Sequence, residues 1–67
     1  MDELREEILR RLHEMYDGKS AGYYEVNCTA LSIAWGIVGA KYPGATFCEV
    51  YDIANEAAQE ICFGEGK

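Results

Sequence analysis

Basic residues are scarce in this chain, which has six lysines and arginines against twelve acidic residues and a formal net charge of −6. None of the six lies between Lys41 and Lys67, so the acidic excess is concentrated in the C-terminal third. Binding to nucleic acid depends heavily on lysine and arginine contacts to phosphates. The composition therefore argues against direct binding to nucleic acid.

Residues that hold metals or act as nucleophiles are also few. His13 is the only histidine, and the three cysteines, Cys28, Cys48 and Cys62, contain no CxxC pair. If Cys48 and Cys62 share one helix, they stand about 21 Å apart, beyond the roughly 7 Å Cα limit for a disulfide. We therefore expect no metal, no cofactor and no enzymatic activity. We expect the cysteines to be small buried side chains in a reducing cytoplasm.

A long hydrophobic run is missing as well. No apolar stretch approaches the ~18 residues of a membrane-spanning helix, and no apolar segment follows a basic N-terminal region, so we expect neither a membrane span nor a signal peptide. The chain of 67 residues predicts one small domain. A domain of this size buries only about 60% of its unfolded surface, so a partner chain would add to its stability.

A first helix is predicted over residues 2–17, because its apolar residues recur at helical spacing and form one stripe. On the opposite face Glu6 stands four residues before Arg10, and Glu7 stands four before Arg11. This is the favourable orientation for ion pairs along a helix. The first helix is therefore expected to neutralise much of its own charge.

A last helix is predicted over residues 47–63. Thr46 and Glu49 form a T-x-x-E capping box at its start, and Gly64 follows its end, where a left-handed conformation is common. One broad face of this helix is apolar, from Phe47 onward, and the other face is acidic. Its two ends are the most strongly signalled boundaries in the chain.

The middle segment permits two interpretations. As a helix it covers residues 28–42, with Asn27 at its start and Pro43 beyond its end. As strands, residues 23–38 would form a hairpin between two helices, giving an α+β fold. We favour the helix, because the segment is rich in alanine and lies between two other helices. The predicted fold is an all-α, compact three-helix bundle that occupies residues 1–67 as a single domain.

The middle helix would be apolar on two sides. Trp35 belongs to one side, where its spacing predicts a core position, while Ile33 and Ile37 belong to the other. A chain this short has little material with which to cover both sides. We therefore predict a homodimer with Ile33 and Ile37 in its interface, and the alternative function is a homodimeric structural or regulatory adaptor that acts through this helix.

The acids of the last helix form a row. Glu49, Asp52, Glu56 and Glu60 are spaced three, four and four residues apart and fall within about 80° of the helix circumference. Ile53 projects beside them. Helix surfaces usually mix both charge signs, whereas these acids have no base on their own helix, so the row is either a solubilising face or a partner-binding surface. We predict that all five residues bind a partner.

By its size, its acidity and its lack of catalytic motifs, the chain resembles the small inhibitors that phages and mobile elements encode, including anti-CRISPR and anti-restriction proteins. The resemblance is one of composition. It implies a stoichiometric, non-enzymatic inhibitor whose partner is a basic, nucleic-acid-binding protein. The acidic helix would occupy the basic surface in place of nucleic acid.

Overall fold

Three helices and the turns beside them make up the computed structural model, which describes residues 2–16 and 21–64. The helix bounds are Asp2–Tyr16 for α1, Tyr23–Lys41 for α2 and Phe47–Phe63 for α3. The predicted all-α three-helix bundle is confirmed. No strand occurs in the described part of the chain, so the hairpin alternative is wrong. The predicted end of the first helix at Asp17 lies outside the described residues.

The start of α2 differs from the predicted residue 28. Gly22 is the N-cap, and Tyr23 and Tyr24 form the first turn of the helix instead of a loop. No helix-breaking residue lies between Tyr23 and Asn27, and the ring of Tyr23 stacks on Phe63 of α3 with centroids 5.6 Å apart. Asn27, the predicted cap, is inside α2, where its buried Oδ1 accepts no hydrogen bond from the described residues.

The buried faces of α2 and α3 contain five alanines among nine buried residues. Small side chains let two helix axes approach toward the lower end of the usual 8–10 Å range. These two helices also make the most extensive contact of the three helix pairs. The fully buried alanines are Ala30 and Ala34 on α2 and Ala54, Ala57 and Ala58 on α3.

The largest fully buried side chains of the core come from α1. Leu4, Ile8 and Leu12 are fully buried at four-residue spacing, followed in size by Val26 of α2 and Val50 of α3. Ile37 and Val38 of α2 are buried as well, so every helix contributes large side chains to the core. Each helix depends on the other two for its burial.

Of the two ion pairs predicted on α1, Glu7–Arg11 is present and Glu6–Arg10 is not. Glu7 accepts hydrogen bonds from Arg11, at 2.9 Å, and from Arg10, whereas Arg10 pairs with Glu7 and Glu14 instead of Glu6. The hydrogen bond from Arg11 is the main reason why the pKa of Glu7 lies below its ordinary value. Desolvation raises this pKa, and Arg10 lowers it further. The ionised Glu7 therefore stabilises the folded state above the unfolded-state pKa, and this stabilisation is lost as pH falls through the lowered folded-state pKa.

Both predicted boundaries of α3 are confirmed. The amide of Glu49 donates to Thr46 Oγ1 at 3.2 Å, and the amide of Thr46 donates to Glu49 Oε1 at 3.1 Å. Gly64 has φ 65°, a value that favours glycine, and its amide donates to the carbonyl of Glu60 at 3.0 Å. The capping box therefore fixes the direction in which α3 leaves the preceding turn.

We expect the substitution Ala34→Leu to lower the free energy of unfolding by about 1–3 kcal/mol, because the buried face has no room for three further carbons. Ala40 is exposed on the same helix. The matched change Ala40→Leu should therefore stay within about 0.5 kcal/mol of the parent. Urea denaturation followed by circular dichroism measures both, and equal effects would contradict a close-packed alanine face.

Removal of the cap by Thr46→Ala should cost about 1 kcal/mol, because the Glu49 amide loses its side-chain acceptor. The change Glu49→Gln keeps an acceptor for the Thr46 amide and should cost less. Thermal unfolding of the two variants compares them directly. A larger loss for Glu49→Gln than for Thr46→Ala would show that the charge of Glu49, and not the cap, stabilises α3.

Candidate interaction surfaces

The four acids of α3 share one helix face but differ in exposure. Glu49, Asp52 and Glu56 are exposed, whereas the side chain of Glu60 retains 17% exposure. The row is therefore only partly exposed, because Glu60 is half-buried. Ile53 is half-buried and packs against the core, so most of its side chain is unavailable as an apolar anchor for a partner.

Arg5 of α1 crosses to this face and pairs with its C-terminal half. Its Nη2 donates to Glu60 Oε1 at 2.6 Å, and its Nε lies 3.7 Å from Glu56 Oε1. Among the described residues, it is the only base within ion-pair distance of the four acids. The acidic row is therefore partly compensated, by a residue that lies 55 positions away in sequence from Glu60.

Glu49, Asp52 and Glu56 differ in the contacts that their carboxylates make. One carboxylate oxygen of Glu49 accepts the Thr46 amide in the capping box, although the side chain stays exposed. Asp52 makes no ion pair or side-chain hydrogen bond with any described residue. Since Arg5 approaches Glu56 less closely than Glu60, the uncompensated charge is concentrated at Asp52 and Glu56, one helical turn apart. We call Glu49, Asp52 and Glu56 the acidic face.

A shallow depression of about 330 Å³ lies where Arg5 meets the end of α3. Phe63 forms part of its lining and is 66% exposed. The depression places an apolar ring beside the Arg5–Glu60 pair and next to Glu56. This end of α3 thus combines charge with an exposed apolar ring.

Three aromatic side chains form a stack on the surface between α2 and α3. The ring centroids of Trp35 and Phe47 are 5.9 Å apart, and those of Phe47 and Tyr51 are also 5.9 Å apart. Exposure is 40% for Trp35, 63% for Phe47 and 41% for Tyr51, so the predicted core position of Trp35 is wrong. Buried alanine, valine and isoleucine side chains occupy the inner faces of α2 and α3, and the three rings lie outside them. We call these residues the aromatic ridge.

A groove of about 360 Å³ runs between α1 and α2. Ile33 and Gly36 contribute apolar lining, while Glu7, Arg11 and Lys41 bring charge to its edges. Ile33 is half-buried and remains accessible. Ile37 also touches the groove but is only 8% exposed, because its own chain buries it, so it has little surface to offer the predicted dimer interface.

The cysteines are free, and two of them, Cys28 and Cys48, are exposed, so the expectation of buried cysteines is wrong for these two. Cys62 is half-buried, and burial raises the pKa of its thiol. Desolvation, followed by the Glu3 carboxylate, raises the pKa of Tyr42, whose hydroxyl donates to Glu3 at 3.4 Å.

Residues 2–16 and 21–64 contain neither a metal site nor a membrane-spanning helix. No three histidine, cysteine, aspartate or glutamate side chains converge there as a metal site. No helix in these ranges combines the length and the apolar character needed to cross a membrane. The surfaces that offer chemistry are thus the acidic face, the aromatic ridge and the groove.

Comparison with family models, curated proteins and solved structures found no match for this chain.

The substitution Arg5→Gln should lower the free energy of unfolding by about 1 kcal/mol, because Glu60 is left half-buried without a base. Arg10→Gln is the matched control, since the partners of Arg10 are on its own helix, and its effect should stay below about 0.5 kcal/mol. Chemical denaturation at low and high salt measures both. A loss for Arg5→Gln that does not shrink at high salt would contradict an electrostatic role.

Proposed function

We propose that this protein is a non-enzymatic inhibitor that binds a target protein stoichiometrically through the acidic face of α3. The target surface is basic and normally binds nucleic acid. The observation that carries the proposal is the exposed pair Asp52 and Glu56, on a helix whose four acids have Arg5 as their one ion-pair partner within the described residues. An acidic protein with such a helix competes with nucleic acid for the same positive charges.

The spacing of the carboxylates supports this mode of binding. Residues three or four positions apart on a helix hold their side chains about 5–6 Å apart, which approximates the spacing of phosphates along a strand. A groove built for phosphates therefore finds acceptors at similar intervals along α3. Exposed charges of one sign also steer the encounter with an oppositely charged surface and raise the association rate.

The region around Arg5 supplies an apolar anchor, which a row of charges lacks. Charge complementarity raises the association rate and specificity more than it raises affinity, and most binding energy comes from a few buried anchors. Phe63 is exposed beside the Arg5–Glu60 pair and can bury its ring in a target. Arg5 would hold Glu60 in place, so that the C-terminal end of the row is ordered before binding.

The size and charge of the chain suit an inhibitor of the kind that phages or mobile elements encode, with anti-CRISPR and anti-restriction proteins as examples. Such a protein has to cover a basic groove and needs no chemistry of its own. The acids of α3 run from Glu49 to Glu60, over about 17 Å of the helix. This length is sufficient to block a groove that holds several nucleotides.

The double charge reversal Asp52→Lys/Glu56→Lys tests the proposal. We expect it to leave the fold intact, because both side chains are exposed, and to abolish capture of the target from a lysate by the tagged protein. The matched control is Glu6→Lys/Glu14→Lys on the exposed face of α1, which changes the net charge equally. Mass spectrometry of the captured proteins should identify a basic partner with the parent and control proteins only.

Two further measurements on the captured partner complete the test. Added nucleic acid should displace it, and its association rate should fall steeply from low to physiological salt, where exposed charges are screened over about 8 Å. If the double reversal binds as tightly as the parent, or if nucleic acid and the parent bind the target together, the acidic face is only a solubilising surface.

A further inference from the structure

The outer face of α2 is uncharged and exposed, although it belongs to an acidic protein. No charged residue occurs from position 28 to position 40, in a chain whose net charge is −6. Small side chains dominate the exposed part of this stretch. The exposed small residues are Cys28, Ser32, Gly36, Gly39 and Ala40.

Two of these residues are glycines inside a helix. Apart from proline, glycine is the least favourable residue in a helix interior. A Cβ atom added at Gly36 or at Gly39 would meet no other atom within 4 Å, so nothing within the described chain requires glycine at either position. A surface that approaches α2 from outside would require it, because glycine allows a second backbone to come close.

The aromatic ridge and the α1–α2 groove lie on opposite flanks of this face. Trp35 joins the ridge on the side of α3, while Ile33 and Gly36 line the groove on the side of α1. Because Trp35 lies between Ile33 and Gly36 in sequence, the ridge and the groove are at the same height along the α2 axis. A two-fold axis parallel to α2 would therefore place the ridge of each copy opposite the groove of the other.

The area of these surfaces is adequate for a dimer. Three aromatic rings at about half exposure present roughly 300 Å². A ridge and a matching groove on each copy bury roughly 600 Å² per copy before the α2 face is counted, and a standard interface needs about 800 Å² per partner. Arg11 at the groove edge would also lie within reach of the partner's aromatic rings, where a cation is attracted to a ring face.

From these observations we propose that two copies of the chain pair through the outer face of α2, with their α2 helices parallel and each aromatic ridge seated in the groove of the other copy. Charge favours a second copy at this face, because acidic copies repel one another at α3 and meet no charge between positions 28 and 40 of α2. The interface is thus centred on Trp35 and Gly36 instead of Ile37.

Sedimentation equilibrium of the full chain tests the pairing, with a dimer expected at micromolar concentration. Trp35→Ala should weaken dimerisation roughly thirtyfold, as expected for an aromatic anchor, whereas Phe63→Ala, at an exposed ring beside Arg5 and away from the outer face of α2, should change it less than about threefold. Circular dichroism confirms that each variant is folded.

Gly36→Ala separates dimerisation from stability. The change should raise the melting temperature of the monomer, since alanine favours the helix and its Cβ is unobstructed, and yet it should weaken the dimer at least fivefold. Gly44→Ala, where an added Cβ also meets nothing within 4 Å, lies in the turn before α3 and should leave the dimer unchanged.

Oxidation of native thiols tests the parallel arrangement. In Cys48→Ser/Cys62→Ser the remaining Cys28 lies on the paired face, and parallel helices bring two copies of it together, so a disulfide-linked dimer should form. Antiparallel helices centred near Gly36 would hold the two thiols about 24 Å apart. A monomer at every concentration, a dimer that Gly36→Ala does not weaken, or a dimer without the Cys28 cross-link would each overturn the proposal.

Discussion

The alanine on the buried faces of α2 and α3 is the constraint on which the rest of the structure depends. Five of the nine residues buried on these faces are alanine, and the largest fully buried side chains, Leu4, Ile8 and Leu12, come from α1. Small residues let two helices pack closely and leave little room for a ring between them. Trp35, Phe47 and Tyr51 therefore lie outside the core and stack along the boundary between the two helices.

The charged and the uncharged surfaces belong to different helices. The acidic face lies on α3, where Arg5 restrains its far end, and the uncharged face lies on α2. If both proposals hold, pairing through α2 leaves the acidic faces of both copies open. Such a dimer carries two binding surfaces on one rigid body, and a target with two basic sites at the right distance would be bound far more tightly than by one copy.

Local chemistry made much of the fold predictable. The capping box at Thr46, the glycine after α3 and the helical spacing of Leu4, Ile8 and Leu12 each act within a few residues, and all appear in the structure. The distance between helices was not predictable from periodicity, which assigned Trp35 to the core. The pair of Arg5 with Glu60 was missed for a related reason, since helix periodicity compares neighbours and not residues on separate helices.

The position of Trp35 in the ridge has a practical consequence. It is the only tryptophan in the chain, and its indole is stacked on Phe47 while 40% of its surface remains in water. Indole emission shifts to shorter wavelength when water is excluded from the ring. The intrinsic fluorescence of the unlabelled protein therefore reports on the aromatic ridge. Any molecule that covers this surface, whether another copy or a different protein, should shift the emission maximum to shorter wavelength.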